Sequence, residues 1–472
     1  MTEYDAVVIG SGPNGLAAAI TMARAGCSVL VIEAKDAFGG GMRSAELTLP
    51  GYVHDVCSAA HPMGISSPFF RDVPLDQFGL EWIMPSAPVA HPLDNQPSVV
   101  MEQSIEATLE SLDTVDRKAY RWLFQMAVNH YEDILDQFLG PLMIPKKPLL
   151  IAQFGVRAIV PTTLLMKTIF RGERARALFS GIAAHSILPL EWTPSAGVGM
   201  VLGMLAHAVN YPLAKGGSQK IADAMVGYLR SLGGELRLNW HIKSFDELPS
   251  AKAYFFDTAP RGFIEIMGES LPAGYANELR RFRYAPGVFK VDYALDAPIP
   301  WRDPNTARAS TIHVGGTLDE LAHSERAVWR GEHVERPYIL LIQPTAHDPS
   351  RAPEGKHVVW AYCHVPNGST VDMTAAIDAQ IERFAPGFQE RVLAKSTRNT
   401  AQVEEYNPNY VGGDVNAGAQ TLMQLFTRPA FRLLPYITPV KGVYLCSSST
   451  PPGGGVHGMC GWHAAKIALE RM

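Results

Sequence analysis

Two groups of residues near the N-terminus have the types and spacing to do chemistry. The first is Gly10, Gly12 and Gly15 in Gly10-Ser11-Gly12-Pro13-Asn14-Gly15, followed eighteen residues after Gly15 by Glu33. Gly10 permits a tight turn, Gly12 lets backbone approach a pyrophosphate, and Gly15 lets a helix pack close to a strand. The helix that follows offers unpaired N–H groups to phosphate oxygens. Glu33 is placed to accept hydrogen bonds from a ribose 2′-hydroxyl and to repel a 2′-phosphate. The second group is Gly39-Gly40-Gly41-Met42-Arg43. It reads either as a flexible surface loop or as backbone laid against a ligand, with a cation for its phosphates.

These residues need a frame, and the surrounding pattern supplies one. Residues 5–9 are a short β-branched run suited to a buried parallel strand, 16–25 an Ala-rich helix ended by Gly26, and 28–32 a second strand with Glu33 at its end. Strand, turn, helix, strand and acid in this order form an ADP-binding βαβ unit rather than an ordinary glycine turn. A helix over 219–232 and strands over 235–242 and 253–256 read as a return to the same sheet. Strands over 287–295, 308–314, 338–343 and 357–364, with a helix over 372–384, form a second, mixed sheet with a large apolar face. The chain closes with a strand (441–446), a Ser/Pro/Gly loop (447–455) and a helix (456–472). Gly458 and Gly461 lie in the first turns of that helix, whose dipole end suits an electron-rich ligand.

The totals narrow the function. A chain of 472 residues, 47% hydrophobic and 18% charged with net charge −5, folds into two or three domains and has no basic surface for nucleic acid. Five scattered cysteines with no C-x-x-C argue against disulfides and against a thiol redox centre. The first strand follows Met1 directly and no apolar run reaches membrane-spanning length, so a cytoplasmic protein without a leader is expected. His54-x-x-Cys57-x-x-x-His61 and His457-x-x-Cys460-x-x-His463 imitate metal-ligand spacing without a fourth ligand, and no metal is expected.

Helical periodicity covers 103–112 and 116–139. Residues 141–171 then carry Lys146, Lys147, Arg157, Lys167 and Arg171 and no acid. They read either as proline-kinked core helices or as an interfacial patch inserted in a membrane, with lysines and arginines at the headgroups.

With VVIGSGPNGLAAA, GGGMRSAEL, GYVHDVCSAAHP, AKGGSQKIADAM, YNPNYVGGD and YLCSSSTPPGGGVHGMCG in place, the chain resembles the phytoene-desaturase-like branch of the FAD-dependent amine oxidase superfamily. Within it, the likeness is to the type named pyridine nucleotide-disulphide oxidoreductase domain-containing protein 2. It spans essentially the whole length. It implies an α/β fold: a Rossmann-like FAD-binding domain from 1–75, 212–260 and 400–472, and a mixed-sheet and helical substrate domain from 76–211 and 261–399.

Carried over by position, Gly10, Gly12, Pro13, Asn14 and Gly15 would hold the FAD pyrophosphate, and Glu33 with Ala34 the adenosine ribose. Gly40, Gly41, Met42 and Arg43 would lie along the phosphates and ribityl chain. Ile242 would present backbone to the adenine, Ser447 and Ser448 hydroxyls to the ribityl chain, and Gly455, Val456 and His457 would meet the flavin. The sequence departs from the family at Gly41, which stands where an arginine is usual, and at Cys446-Ser447.

The activity implied is hydride transfer from a lipophilic, isoprenoid- or polyene-like substrate to flavin N5. Oxygen or a quinone is the expected acceptor, since only one dinucleotide fingerprint is present. Polyene isomerisation, amine oxidation and a flavin-free prenyl- or lipid-binding module are the alternatives. An amine oxidase usually has a lysine that holds water near N5, and none is identified in the sequence. His54, Asp55, His61 and His457 are the titratable groups expected nearest the isoalloxazine, with His61 and His457 the catalytic candidates.

Overall fold

The computed structural model describes residues 3–141 and 143–472; Met1, Thr2 and, within the 141–171 stretch, Leu142 lie outside them. The first sheet is parallel throughout, in the order Val443–Leu445, Ala251–Phe256, Tyr4–Ile9, Val29–Ile32, Glu235–Arg237. Its central strand is apolar on both faces because both are covered. Ala6 and Val8 pack into the core shared with the helix Pro13–Arg24, while Val7 and Ile9 pack with Phe263 and Met267 of Pro260–Met267. The chain leaves Tyr4–Ile9 toward Val29–Ile32 on one side and returns as Ala251–Phe256 on the other. The glycine turn therefore sits at the carboxyl end of a switch point, where open α/β sheets bind ligands.

The second sheet has seven strands, in the order Val392–Arg398, Gly287–Leu295, His357–Val365, Ile339–Ile342, Ala309–Val314, Ala87–Leu93, Gln96–Met101. Only the pairing of Ala87–Leu93 with Ala309–Val314 is parallel. Alternation gives it two distinct faces. Phe289, Val291, Tyr293, Leu341 and Ala361 form one core with Ile377 and Ile381 of the helix Thr374–Phe384. Val288, Lys290, Leu340, Trp360 and Tyr362 face the other way and line a cavity.

Several boundaries differ from the sequence reading. The strand expected over 235–242 stops at Arg237, and Asn239 turns the chain with a left-handed φ of 55°. The segment after residue 75 also supplies two strands, Ala87–Leu93 and Gln96–Met101; Pro88, Pro92 and Pro97 hide them in the sequence. The 116–139 helix is two, Arg117–Asn129 and Tyr131–Phe138. The last helix starts at Met459, after Gly458 in a left-handed conformation. A Cβ on Gly461 would stand 1.8 Å from the Asn14 carbonyl oxygen, so this glycine serves close packing on the first helix rather than a ligand.

Candidate active site

A single cavity of about 1210 Å³ begins at the glycine turn, passes along the inner face of the second sheet and opens among apolar side chains. Pockets for drug-sized ligands span roughly 300–1,000 Å³, so this one has room for a dinucleotide and a substrate together.

At the turn, Gly12 caps the helix Pro13–Arg24 with no side-chain hydrogen bond; Pro13 has no N–H and Asp257 takes that of Gly15, which leaves the Asn14 N–H of the first turn to a ligand. A Cβ on Gly15 would stand 2.1 Å from the Gly10 carbonyl oxygen, and one on Gly12 2.6 Å from Asp257 Oδ2. Glu33 is held by Ser11, whose N–H and Oγ donate to Oε2 at 3.1 and 2.5 Å, and by the Lys35 N–H at 3.0 Å. Arg43 pairs with Glu33 Oε1 at 3.2 Å and lies over the Tyr406 ring. It therefore stands at the Glu33 end rather than farther along the loop. Gly40 and Gly41 are covered by Tyr406 and Tyr410: Tyr406 Oη donates to the Gly40 carbonyl at 3.3 Å, and a Cβ on Gly41 would meet Tyr410 Oη at 2.5 Å.

Of the residues singled out in the sequence, Gly10, Gly12, Pro13, Asn14, Glu33, Ala34, Gly40, Gly41, Arg43, His61, Ile242, Ser447, Ser448, Gly455, Val456 and His457 line the cavity. Ile242 does so from beyond the end of its strand. Met42 does not: its side chain is fully buried in the core beneath the loop. Gly15 supports the turn from below. His54 and Asp55 also turn away. His54 Nε2 is 2.8 Å from Thr48 Oγ1, and Asp55 is held by Arg351 at 3.0 Å and by the Ser218 N–H at 2.8 Å.

His61 and His457 are both pushed down to about 4 by burial and are neutral at neutral pH. His457 is fully engaged: Nε2–H donates to the Gly453 carbonyl and Nδ1 accepts the Met459 N–H, each at 3.1 Å. Among the described residues, no three His, Cys, Asp or Glu side chains converge as metal ligands, and all five cysteines are free.

Two residues were not recognised in the sequence. Lys290 is buried and lines the cavity, ion-paired with Asp292 and lying 5.4 Å from the centre of the Trp360 ring. Burial lowers its affinity for a proton. This is a buried cavity lysine of the kind the sequence reading did not find. Asp257, at the end of Ala251–Phe256, accepts the Gly15 N–H at 2.9 Å directly beneath the turn. Its backbone carbonyl accepts Asn409 Nδ2–H at 3.0 Å, so the 406–414 motif and the glycine turn are tied at this residue.

Comparison with known proteins places this geometry. A family model described as an NAD(P)-binding Rossmann-like domain matches residues 8–73. The chain is 24% identical to the rat pyridine nucleotide-disulfide oxidoreductase domain-containing protein 2, over 99% of this chain and 94% of that protein. It is 22% identical to the lycopene-forming phytoene desaturase of a Paracoccus species, over 99% and 97%. The chain is thus similar over nearly its whole length to named oxidoreductases and desaturases. A solved putrescine oxidase variant has the same fold, with a TM-score of 0.64 at 17% identity over 99% of both chains.

Within this fold, Asp257 makes stability depend on pH. Burial, with the Glu33 charge adding to it, raises its carboxyl from 3.8 to about 7, against the opposing Gly15 N–H. A carboxyl raised on folding stabilises the protein fully below its unfolded value near 3.8, and that contribution is lost as pH rises through 7. Asp257→Asn keeps an acceptor for Gly15 and cannot ionise. Its stability relative to wild type, read from the melting temperature, is expected to climb between pH 5 and pH 8 by up to roughly 2.7 kcal/mol. Parallel profiles from thermal melts at pH 5, 6.5 and 8 would contradict this.

Proposed function

We propose that the protein binds one FAD non-covalently along this cavity and oxidises a lipophilic, isoprenoid- or polyene-like substrate to a product with a new carbon–carbon double bond. The observation that carries the reading is the continuity of one cavity from the glycine turn to an apolar mouth. The residues fit the cofactor: Gly12 and Gly40 line the cavity at the turn with no side chain, Gly15 lets the turn sit close on its strand, and Asn14 Oδ1 is buried without a partner. The turn N–H groups would take the pyrophosphate, Glu33 the ribose, Ser448 and the Gly41–Arg43 backbone the ribityl chain, and Gly455 to His457 the flavin edge. When bound, the isoalloxazine supplies a two-electron acceptor for hydride. Val288, Leu340, Ile342, Trp360 and Tyr362 orient an apolar chain and keep water from it. Oxygen or a quinone would reoxidise the cofactor.

The mouth lies between the helices Pro148–Ala158 and Leu422–Thr427, where Val156, Ile159 and Phe426 both line the cavity and reach solvent. We place the membrane contact there. Among the described residues no single helix is long and apolar enough to cross a bilayer, and the contact proposed is peripheral.

Lys290 favours a second reading, amine oxidation. The two separate in an anaerobic experiment on the FAD-loaded protein with phytoene or squalene in vesicles and putrescine in solution. Loss of the visible flavin band with the hydrocarbons and not with putrescine is expected. Bleaching by putrescine alone would promote amine oxidation, and conversion of a polyene without bleaching would promote isomerisation.

A further inference from the structure

A group of imidazoles borders the cavity and has no part in the scheme above. His185 lines the cavity and is half-buried. Its Nε2 lies 2.9 Å from Nε2 of His313, which is fully buried on Ala309–Val314. His91, on the strand paired in parallel with that one, is fully buried, and its Nε2 is 2.7 Å from the Gly316 carbonyl oxygen. The Nδ1 atoms of His91 and His313 have no partner, and both lie within 2.9 Å of the point where a Cβ on Gly181 would stand. Among the described residues, none engages Nδ1 of His185.

The proton positions follow from one end. A carbonyl only accepts, so His91 carries its proton on Nε2 and presents a lone pair at Nδ1. A buried lone pair calls for a donor, and Nδ1 of His313 faces the same edge of Gly181, so a proton on that atom is the donor nearest to it. His313 then offers Nε2 as an acceptor, and His185 donates to it from Nε2–H. What remains is the lone pair on His185 Nδ1. Burial pushes His185 down to about 3 and His91 to about 4, and it lowers His313 as well, so all three rings are neutral.

We infer that His185 is the proton acceptor of the substrate cavity, its basic Nδ1 fixed by a relay through His313 and His91 to the Gly316 carbonyl. The inference rests on the dehydrogenation reading. With bound flavin as the two-electron acceptor, loss of a hydride from the substrate would make the C–H on the neighbouring carbon strongly acidic. That proton passes to His185 Nδ1, and its bonding pair becomes the new π bond. A neutral imidazole is base enough for this.

The Nε2 proton of His185 then moves to His313, and the Nδ1 proton of His313 toward His91. The charge thereby leaves the cavity for a site beside Glu320, whose carboxylate packs on Gly316. Glu320 itself faces Arg383 and Arg336. The other polar groups around the relay are the buried Glu325–His364 pair, at 2.9 Å, and Tyr338, whose hydroxyl donates to the Gly181 carbonyl.

Two measurements test this on the FAD-loaded protein. Ring-nitrogen NMR of histidine-labelled protein, assigned with single His→Gln variants, should show His185 and His91 protonated on Nε2 and His313 on Nδ1. In His91→Leu the constraint is gone, and His185 and His313 should exchange tautomers. His185 found protonated on Nδ1 in the wild type, or left unchanged by His91→Leu, overturns the relay. These signals need no substrate, so a wrong substrate class shows only in the bleaching experiment. With phytoene as reductant, His185→Gln should slow bleaching about 100-fold at unchanged FAD content; an unchanged rate overturns the role of His185.

Discussion

Gly12→Val is expected to fold and to carry no flavin. The first atom of the new side chain would stand 2.6 Å from Asp257 Oδ2, and the branched side chain would crowd the turn where Gly12 lines the cavity. The carboxylate can shift, because it belongs to a side chain, so the fold survives. The approach of a pyrophosphate cannot be restored in the same way. Hydrogen bonds from backbone N–H to charged oxygens contribute about 1.5–3 kcal/mol each. Losing two of them weakens binding on the order of 10²–10⁴-fold. Flavin content per chain after purification, beside the melting temperature, separates loss of the site from loss of the fold. A Gly12→Val protein that retains stoichiometric flavin would place the dinucleotide elsewhere.

The second large effect is expected at the mouth. The sequence of 141–171 suggested five free basic residues, and the structure changes that picture. Lys147 pairs with Asp133 at 2.7 Å and Lys167 with Asp319 at 2.8 Å, while Arg157 stacks on Trp122. Lys146 and Arg171 remain exposed, with no ion-pair partner among the described residues. At about 1 kcal/mol per basic residue near an anionic surface, charge contributes less than the sequence implied.

Of the apolar residues in 141–171, Phe154, Leu165 and Phe170 belong to the core, while a second segment also presents apolar side chains to solvent. Leu149 is 79% exposed, and Phe431 and Leu433, which follow the Leu422–Thr427 helix, are 81% and 97% exposed. Burying a side chain of this size is worth about 1.5–3 kcal/mol. In a flotation assay the protein should bind neutral as well as anionic vesicles, and salt should weaken only the anionic increment. Leu149→Ser with Phe431→Ser and Leu433→Ser should abolish binding to both. Lys146→Glu should reduce only the anionic case. Absence of flotation with either vesicle would leave a protein supplied from solution or by a carrier.

How much could be read from the sequence depended on whether partners were near in the chain. The βαβ unit was legible because turn, helix, strand and acid are consecutive, and each residue type is demanded by local geometry. Strands such as Gly287–Leu295 were legible from alternation. The meaning of that alternation was not. Val288, Lys290 and Asp292 alternate with Phe289, Val291 and Tyr293, a pattern that ordinarily marks a solvated face. Here Val288 and Lys290 of that face line the cavity, and Asp292 is covered by His54 of the Val53–Asp55 strand.

Asp257 was visible only as a strand end, because its partner Gly15 is 242 residues away. His185 and His313 are 128 residues apart and meet only because the helix Glu173–Ala183, which leads into His185, packs on the second sheet. His54 and Asp55 were expected at the flavin because they follow the glycine loop closely. The short hairpin Ser44–Glu46 with Val53–Asp55 turns them instead toward Arg351 and the helix Gln219–Ser231.

The central claim is that the glycine cradle and the cavity beyond it are a flavin site. The absorption spectrum of the purified full-length protein, before and after acid precipitation, tests it most directly. The expected result is a yellow protein with one FAD per chain that acid releases into the supernatant. A colourless protein that takes up no FAD on incubation would contradict the claim.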